Sequence, residues 1–247
     1  MKFPFLPDFW DHLKQYTSAR IALGRAGGSI PTKSLLEFRL AHAKARDAVS
    51  KELNIAGLQS ELASLSIPVL SLQSHVANKQ VYLLSPHLGR RLNDSSKEFL
   101  NSQSTHYDIC LVAADGLSAA AIELHLKPLL KKLLPQLKDT SYSISPICLV
   151  KYGRVAVGDD VADSFTSTMV IVFVGERPGL TTPNSLGIYL TYLPRLGITD
   201  ERRNCISNVH DGGLDYEIAA DKLMYLIKEA FRRKISGVEL KDERLML

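Results

Sequence analysis

Two unbroken apolar runs constrain the fold of this chain more than any other feature of its sequence. They are Ile109–Val112 (Ile-Cys-Leu-Val) and Met169–Val174 (Met-Val-Ile-Val-Phe-Val). Short runs of this kind, rich in branched residues and without a polar alternation, are typical of strands that are buried on both faces. Such strands lie between two layers of helices, so the chain is predicted to contain an α/β sheet.

The pattern after residue 105 extends this prediction. Two more runs predict strands, Ile144–Lys151 and Leu186–Leu193. Helical spacing of leucines predicts a helix from Ser118 to Leu137, which Pro128 is expected to kink or split. A last helix carries an apolar stripe formed by Leu223, Leu226, Ile227, Ala230 and Phe231. Residues 105–247 are therefore predicted to form a Rossmann-like, doubly wound α/β domain with a mostly parallel sheet.

Residues 1–104 have a mainly helical pattern and are predicted to form a separate region. The sequence Ser34-Leu35-Leu36-Glu37 has capping-box spacing and predicts a helix start, with Leu36, Leu40 and Ala43 in a narrow apolar stripe. Asp94 predicts the start of another helix that runs through Leu100. Two short runs predict strands, Ile67–Leu72 and Lys79–Leu84. The aromatic side chains near the N-terminus indicate either an interface or internal packing: Phe3, Phe5, Phe9 and Trp10.

Composition excludes several classes of protein. Of 247 residues, 45% are hydrophobic and 23% are charged, which is typical of globular proteins. The net charge of +4 is too small and too evenly spread to indicate nucleic acid as a partner. No apolar run approaches the roughly 20 residues of a membrane-spanning helix. The N-terminal eight residues do not have a secretory pattern, so a cytoplasmic location is expected.

Cysteine and histidine usage gives no sign of a disulfide or a metal site. Cys110, Cys148 and Cys205 are odd in number and have no Cys-x-x-Cys spacing. The seven histidines are scattered, without a His-x-x-x-His pair, so this chain alone is not expected to bind a metal. The glycine-rich phosphate-binding motifs and the Gly-x-Ser-x-Gly elbow are also absent, which disfavours a dinucleotide, a nucleoside triphosphate or an acyl-serine mechanism.

Three polar loops follow predicted strands, where ligands of open α/β sheets bind. They are Ala114–Ser118, Gly175–Pro183 and Arg202–Gly213. In the first loop, Asp115 and Ser118 either cap the next helix or hold a ligand hydroxyl. The second loop contains two glycines and two prolines, which an irregular backbone explains. It also has a Glu176-Arg177 pair, which the backbone conformation does not explain. In the third, Cys205 is either a thiol activated by neighbouring arginines or a small buried residue.

Seven motifs that span about nine tenths of the chain resemble the small subunit of ethanolamine ammonia-lyase, an adenosylcobalamin-dependent family. In chain order they are Thr17–Gly27, Leu88–Leu92, Asp115–Ser118, Tyr152–Val155, Gly175–Leu180, Cys205–Asn208 and Ser236–Val238. In that family the cofactor generates a deoxyadenosyl radical, which starts the conversion of ethanolamine to acetaldehyde and ammonia.

The resemblance also implies a division of labour between two chains. The family's large subunit holds ethanolamine and the catalytic side chains, and the small subunit covers cobalamin at the interface. This chain is therefore expected to carry no catalytic residue and to be inactive alone. The positions that match the family's cobalamin contacts are Val155, Glu176 and Cys205. The alternative is a binding or scaffold subunit of the same fold that has no cofactor.

Two details depart from related patterns. The spacing Asn208-x-His210-x-x-Gly213 approaches the Asp-x-His-x-x-Gly pattern by which other cobalamin proteins supply a histidine to cobalt. Because Asn replaces Asp, the orienting carboxylate is missing, and the resemblance implies that the cofactor's own benzimidazole stays on cobalt. Many relatives also have a longer N-terminal extension linked to packaging in a bacterial microcompartment, whereas this chain reaches its Arg20 motif almost at once.

Overall fold

The computed structural model describes residues 8–103 and 105–244. Within these ranges the chain forms seven α-helices and six β-strands. The helices are α1 (Thr32–Ser50), α2 (Ile55–Leu62), α3 (Lys79–Leu84), α4 (Asp94–Gln103), α5 (Ala119–Lys138), α6 (Val157–Ser164) and α7 (Tyr216–Arg233). The strands are β1 (Val69–Gln73), β2 (Ile109–Ala114), β3 (Ile144–Lys151), β4 (Met169–Gly175), β5 (Leu186–Tyr192) and β6 (Asn204–Val209).

The strands form one six-stranded sheet in the order β1-β3-β2-β4-β5-β6. The first four in this order are parallel, β5 is antiparallel to β4, and β6 is antiparallel to β5 and so runs in the direction of the first four. At the end of β2, Ala114 lies opposite Val150 and Val174, so three strands finish at the same edge of the sheet. The start of β5 and the end of β6 meet there too, because Leu186 pairs with Val209. We call this the carboxyl edge.

The prediction of an α/β protein with a mostly parallel sheet is confirmed. Every residue of β2 and β4 is buried, as their unbroken apolar runs predict. Helices α5 and α7 cover one face through a large apolar cluster, and α4 and α6 cover the other. The reversed strand β5, which pairs antiparallel with β4 and β6, departs from a purely parallel arrangement, and the Rossmann-like detail stays a prediction.

Helix α5 is continuous, so of the two outcomes predicted for Pro128, a kink or a split, the split does not occur. Both Pro128 and Pro135 lie inside the helix. A proline in a helix costs roughly 3 kcal/mol. Burial of a leucine side chain contributes roughly 1.5–3 kcal/mol. Since α5 buries six leucines besides other residues, packing against the sheet outweighs the lost hydrogen bonds.

The first 104 residues contribute a strand to the sheet. The strand predicted at Ile67–Leu72 is confirmed as β1, and it pairs in parallel with β3. The strand predicted at Lys79–Leu84 is wrong, because this segment is α3. The side chain of Asn78 accepts a hydrogen bond from the backbone N–H of Val81 at 3.0 Å, which is an N-cap that favours a helix. The division of the chain into two domains stays a prediction.

Helix α4 is confirmed, but the start predicted for α1 is wrong. The helix begins at Thr32 after Pro31 and has no side-chain cap, so the capping box does not form. No residue of α1 is buried, including Leu36 and Leu40 of the predicted stripe. Of the N-terminal aromatic residues, Phe9 and Trp10 are 83% and 56% exposed, whereas Phe3 and Phe5 lie outside the described residues.

The prediction that Arg202–Gly213 is a loop is wrong for its centre, where Asn204–Val209 forms β6. This is an edge strand that hydrogen bonds to β5 alone. Only Ile206 and Val209 are buried, while Cys205 and Ser207 are exposed. Backbone pairing with β5 forms this strand, because its side chains alone have no strand periodicity.

Candidate functional site

The loops that follow β2, β3 and β4 line an open cleft of about 410 Å³ at the carboxyl edge. We call it the edge cleft. It brings together two of the predicted cofactor contacts, Val155 and Glu176. The third, Cys205, does not line the cleft but lies beside it, opposite the lining residue Tyr189 in the pairing of β5 with β6. Three segments far apart in the sequence thus meet where the sheet topology predicts.

A tight turn between β3 and α6 positions Val155. Tyr152 has a left-handed backbone with φ 56°, and the N–H of Gly153 donates to Oδ1 of Asp115 at 3.0 Å. The N–H of Arg154 donates to the carbonyl of Gly89 at 2.7 Å. A Cβ at Gly89 would lie only 2.9 Å from the Tyr152 carbonyl, so glycine permits this close approach. Two of the sequence motifs therefore pack against each other to hold the turn.

Glu176 connects the ends of β4 and β6. Its backbone N–H donates to the carbonyl of Ser185 at 3.0 Å, and its carboxylate accepts the N–H of Asn208 at 3.2 and 3.3 Å. A carboxylate has about four lone-pair positions. Among the described residues, the Asn208 N–H is the one donor that uses them. The half-buried side chain therefore has acceptor capacity left at the cleft.

Cys205 is not an activated thiol. Partial withdrawal of the sulfur from water raises its pKa, and the negative charge of Glu176 raises it further, although a hydrogen bond with Tyr189 acts in the opposite direction. The guanidinium of Arg203 is buried and binds both carboxylate oxygens of Asp159, at 2.8 and 2.6 Å. The residue as a whole is exposed, so the alternative of a small buried residue is also wrong.

Neither Asp115 nor Ser118 caps α5. Ser118 occupies the N-cap position without a side-chain cap, and its hydroxyl donates to the carbonyl of Pro183 at 3.1 Å. Asp115 is fully buried, and its Oδ2 has no hydrogen-bond partner. Burial raises the pKa of Asp115 to about 6, against the lowering effects of Lys79 and of backbone N–H groups. A carboxylate in this position supports the turn rather than the helix start.

Two basic residues that the sequence analysis did not single out surround Tyr82 at the cleft. The Nζ of Lys79 lies 5.0 Å from the centre of the Tyr82 ring, and the Cζ of Arg154 lies 4.5 Å from it. Arg154 donates through Nη2 to the Tyr82 carbonyl at 3.1 Å, but its Nε is buried and has no partner. Asn78 was the sequence signal available for Lys79, because an asparagine in the N-cap position predicts that a helix begins at the next residue.

His210 is engaged within its own loop. Its Nε2 lies 3.0 Å from the side-chain oxygen of Asn208, and its Nδ1 accepts the N–H of Gly212 at 3.1 Å. In the part of the chain that the structure describes, no group of three or more His, Cys, Asp or Glu residues is placed to hold a metal ion. None of the described helices is both long and apolar enough to span a membrane.

The fold and the edge cleft define an α/β protein of the class that binds ligands beyond the carboxyl ends of its strands. Its sequence matches the family model described as ethanolamine ammonia-lyase light chain (EutC) over residues 7–241. The chain belongs to this family. The resemblance drawn from the seven sequence motifs is therefore confirmed.

Relatives named ethanolamine ammonia-lyase small subunit match nearly the whole chain. The protein from Pseudomonas fluorescens (strain SBW25) is 49% identical over 243 residues, which cover 96% of this chain and 88% of the relative. The protein from Azotobacter vinelandii is 48% identical over 238 residues, covering 95% and 88%. A Xanthomonas campestris relative is 48% identical over 240 residues, covering 96% and 88%.

Proposed function

We propose that this chain is the small subunit of an ethanolamine ammonia-lyase. With a large catalytic subunit, it binds adenosylcobalamin for the radical conversion of ethanolamine to acetaldehyde and ammonia. The family match supports the reaction. The observation that carries the cofactor role is the meeting of Val155 and Glu176 in one open cleft, with Cys205 on the neighbouring strand.

The residues of the edge cleft fit a corrinoid. A corrin ring has an apolar face and a rim of carboxamide side chains, which need apolar walls together with hydrogen-bond donors and acceptors. Leu117, Val155 and Val174 supply apolar wall, and Glu176 supplies acceptor oxygens. The buried Nε of Arg154 is an unused donor at the same cleft. Unsatisfied buried polar atoms are costly, so a ligand amide at this position would stabilise the complex.

Each of these residues has a binding role rather than a catalytic one. Glu176 would accept a hydrogen bond from a carboxamide N–H of the cofactor, and Val155 would supply apolar contact to its ring. When bound, the cofactor supplies the radical through homolysis of its cobalt–carbon bond. Because the cleft is open and only about 410 Å³, this chain covers part of a corrinoid and a second subunit has to cover the rest. Closure between two subunits would exclude water from the bound cofactor.

The test is to produce this chain together with its large subunit and to measure acetaldehyde release with and without adenosylcobalamin, each chain alone serving as a control. Turnover by the pair only, and only with the cofactor, is expected. A well-folded complex that binds no cobalamin would contradict the proposal and favour a scaffold subunit without cofactor.

Variants of Glu176 test the cleft itself. Glu176→Gln keeps an acceptor for the Asn208 N–H, so the fold should be retained. Glu176→Ala removes the acceptor that a corrin amide would use, and loss of one hydrogen bond to a charged group corresponds to roughly 10- to 100-fold weaker binding. Cobalamin affinity is measured by titration of the complex, with the exposed Glu61→Ala as the matched control. Equal affinities of Glu176→Ala and the control would contradict the assigned contact.

A further inference from the structure

A second cleft adjoins the edge cleft and shares Arg154 and Val155 with it. It encloses about 600 Å³ between the 87–91 segment, the start of α6 and the 196–200 loop. We call it the cationic cleft, because His87, Arg90, Arg91 and Arg154 all line it. The family resemblance implies three cofactor contacts, Val155, Glu176 and Cys205. None of them is basic, so they do not account for this concentration of basic side chains.

The two acidic residues of the cationic cleft share one arginine as their counterion. Asp159 and Asp200 both pair with Arg203, which lies behind the cleft wall and does not line it. The bidentate Arg203–Asp159 pair is buried, so it leaves no net charge facing the cleft. One carboxylate charge, that of Asp200, is left over, and the three arginines that line the cleft outnumber it.

Among the described residues, each of the three arginines keeps at least one donor without a partner. The Nε of Arg91 donates a hydrogen bond to the carboxylate of Asp160 at 3.1 Å. Arg90 is exposed, and among the described residues its guanidinium has no hydrogen-bond partner and no ion pair. The Nε of Arg154 is buried without a partner at the wall that separates the two clefts. Guanidinium groups with free donors are the side chains that best match phosphate oxygens.

We propose that the cationic cleft binds the phosphodiester of the cofactor's nucleotide loop, with Arg90 as the principal contact. This inference rests on the proposed function. Cobalamin has one permanently charged anionic group, the phosphodiester that joins a corrin side chain to the benzimidazole ribonucleotide, whereas its rim carboxamides are neutral. A ligand whose corrin lies in the edge cleft has to place this anion nearby. The adjoining cleft has the charge and the volume to receive it.

The experiment compares two corrinoids on the complex of this chain with its large subunit. Cobinamide has the corrin ring but lacks the phosphodiester and the nucleotide, and cobalamin has both. We expect Arg90→Gln to weaken cobalamin binding about tenfold, as for loss of one charge-assisted hydrogen bond, and to leave cobinamide binding within about twofold. Because Arg90 is exposed, the variant should unfold at the same temperature as the wild type.

Controls separate this inference from the proposed function. Arg233→Gln removes an exposed cation at the end of α7 and should change neither affinity. Higher salt should weaken cobalamin more than cobinamide in the wild type, and this difference should shrink in Arg90→Gln. Equal weakening of both corrinoids by Arg90→Gln, or no weakening, would overturn the phosphodiester contact alone. A wild-type complex that bound neither corrinoid would overturn the cofactor assignment and the contact with it.

Inorganic phosphate is the third probe, because a separate anion could also use these cations. If the cationic cleft receives the phosphodiester, excess phosphate should compete with cobalamin and not with cobinamide. Phosphate that bound the complex without displacing cobalamin would assign the cleft to a free anion and would overturn the inference.

Discussion

Asp115 is the residue whose position is least favourable for its charge. It is fully buried, one oxygen accepts the Gly153 N–H at 3.0 Å, and the other oxygen has no partner. The ammonium of Lys79 offsets only part of the burial, so the pKa of Asp115 rises to about 6. The same residue holds the turn that carries Arg154 and Val155. The site therefore depends on a carboxyl group that destabilises the fold when it is ionised.

Replacement of Asp115 by asparagine should remove this pH dependence. The pKa of the folded state lies above the ordinary value of 3.8, so the folded protein binds the proton more tightly and its stability falls as pH rises from about 4 to about 6. The full loss is on the order of 3 kcal/mol. Asp115→Asn keeps an acceptor for Gly153 and should be more stable than the wild type above about pH 6 by roughly 1–3 kcal/mol.

Urea unfolding of both proteins across this pH range measures the effect. The wild type should lose stability relative to Asp115→Asn between about pH 4 and 6, and the difference should be constant above about pH 6. Parallel pH profiles for the two proteins would show that Asp115 has an ordinary pKa in the fold.

At the scale of elements, helix α1 stands out because burial against the rest of the fold does not account for its apolar residues. None of its 19 residues is buried, and Leu36 and Leu40 are each 57% exposed. The segment before it is linked to the loop that carries Glu176, because Nη2 of Arg20 donates to the Leu180 carbonyl at 3.1 Å. Leu180 is itself exposed, so the apolar surface of α1 continues toward the edge cleft. A large subunit that covers the cofactor would meet this surface.

Charges introduced on α1 should weaken the complex and not the fold. We expect Leu36→Glu with Leu40→Glu to change the stability of the isolated chain by less than about 0.5 kcal/mol, because both side chains are exposed. Association with the large subunit should weaken tenfold or more, as for loss of about 1.4 kcal/mol or more at an interface. The matched control is Ile218→Glu, which alters a similarly exposed apolar residue on α7.

Binding is measured by titration of the large subunit, and stability by urea unfolding of this chain alone. Equal effects of the α1 variant and of Ile218→Glu on association would place the large subunit elsewhere on the surface.

At the scale of the whole molecule, the sheet depends on both parts of the chain. Strand β1 comes from the first 104 residues and covers the edge of β3. The buried carboxylate of Asp160 on α6 is neutralised by Arg91 and Lys97, which also come from that part. Without them, β3 would have an open edge, and Asp160 would be a buried charge without its counterions.

Truncations test this dependence. A fragment of residues 105–247 should lack a cooperative unfolding transition or aggregate, because it loses β1 and the partners of Asp160. The matched control is a fragment of residues 51–247, which removes α1 but keeps β1, and it should unfold cooperatively. Circular dichroism during urea unfolding distinguishes the two. A cooperative transition of the shorter fragment would show that residues 105–247 form an independent domain.

The sequence by itself determined the buried centre of this protein. Strands β2 and β4 are apolar along their whole length, so burial on both faces follows from the residues wherever the strands lie. It also placed polar loops at the carboxyl edge, one of which carries Glu176, and the motifs that identified the family indicated Val155. These features depend on residues that are close to each other in the sequence, so a local sequence pattern is enough to predict them.

Tertiary structure alone decided which segments pair and which charges meet. β6 is a polar run that forms a strand only because β5 offers it hydrogen bonds, and β1 is set beside β3 by contacts between residues far apart in the chain. Lys79 and Arg154 surround Tyr82 because α3 and the turn after β3 pack together. Local patterns fix periodicity and capping, but long-range pairing depends on the free energy of the whole fold, which no short stretch of sequence contains.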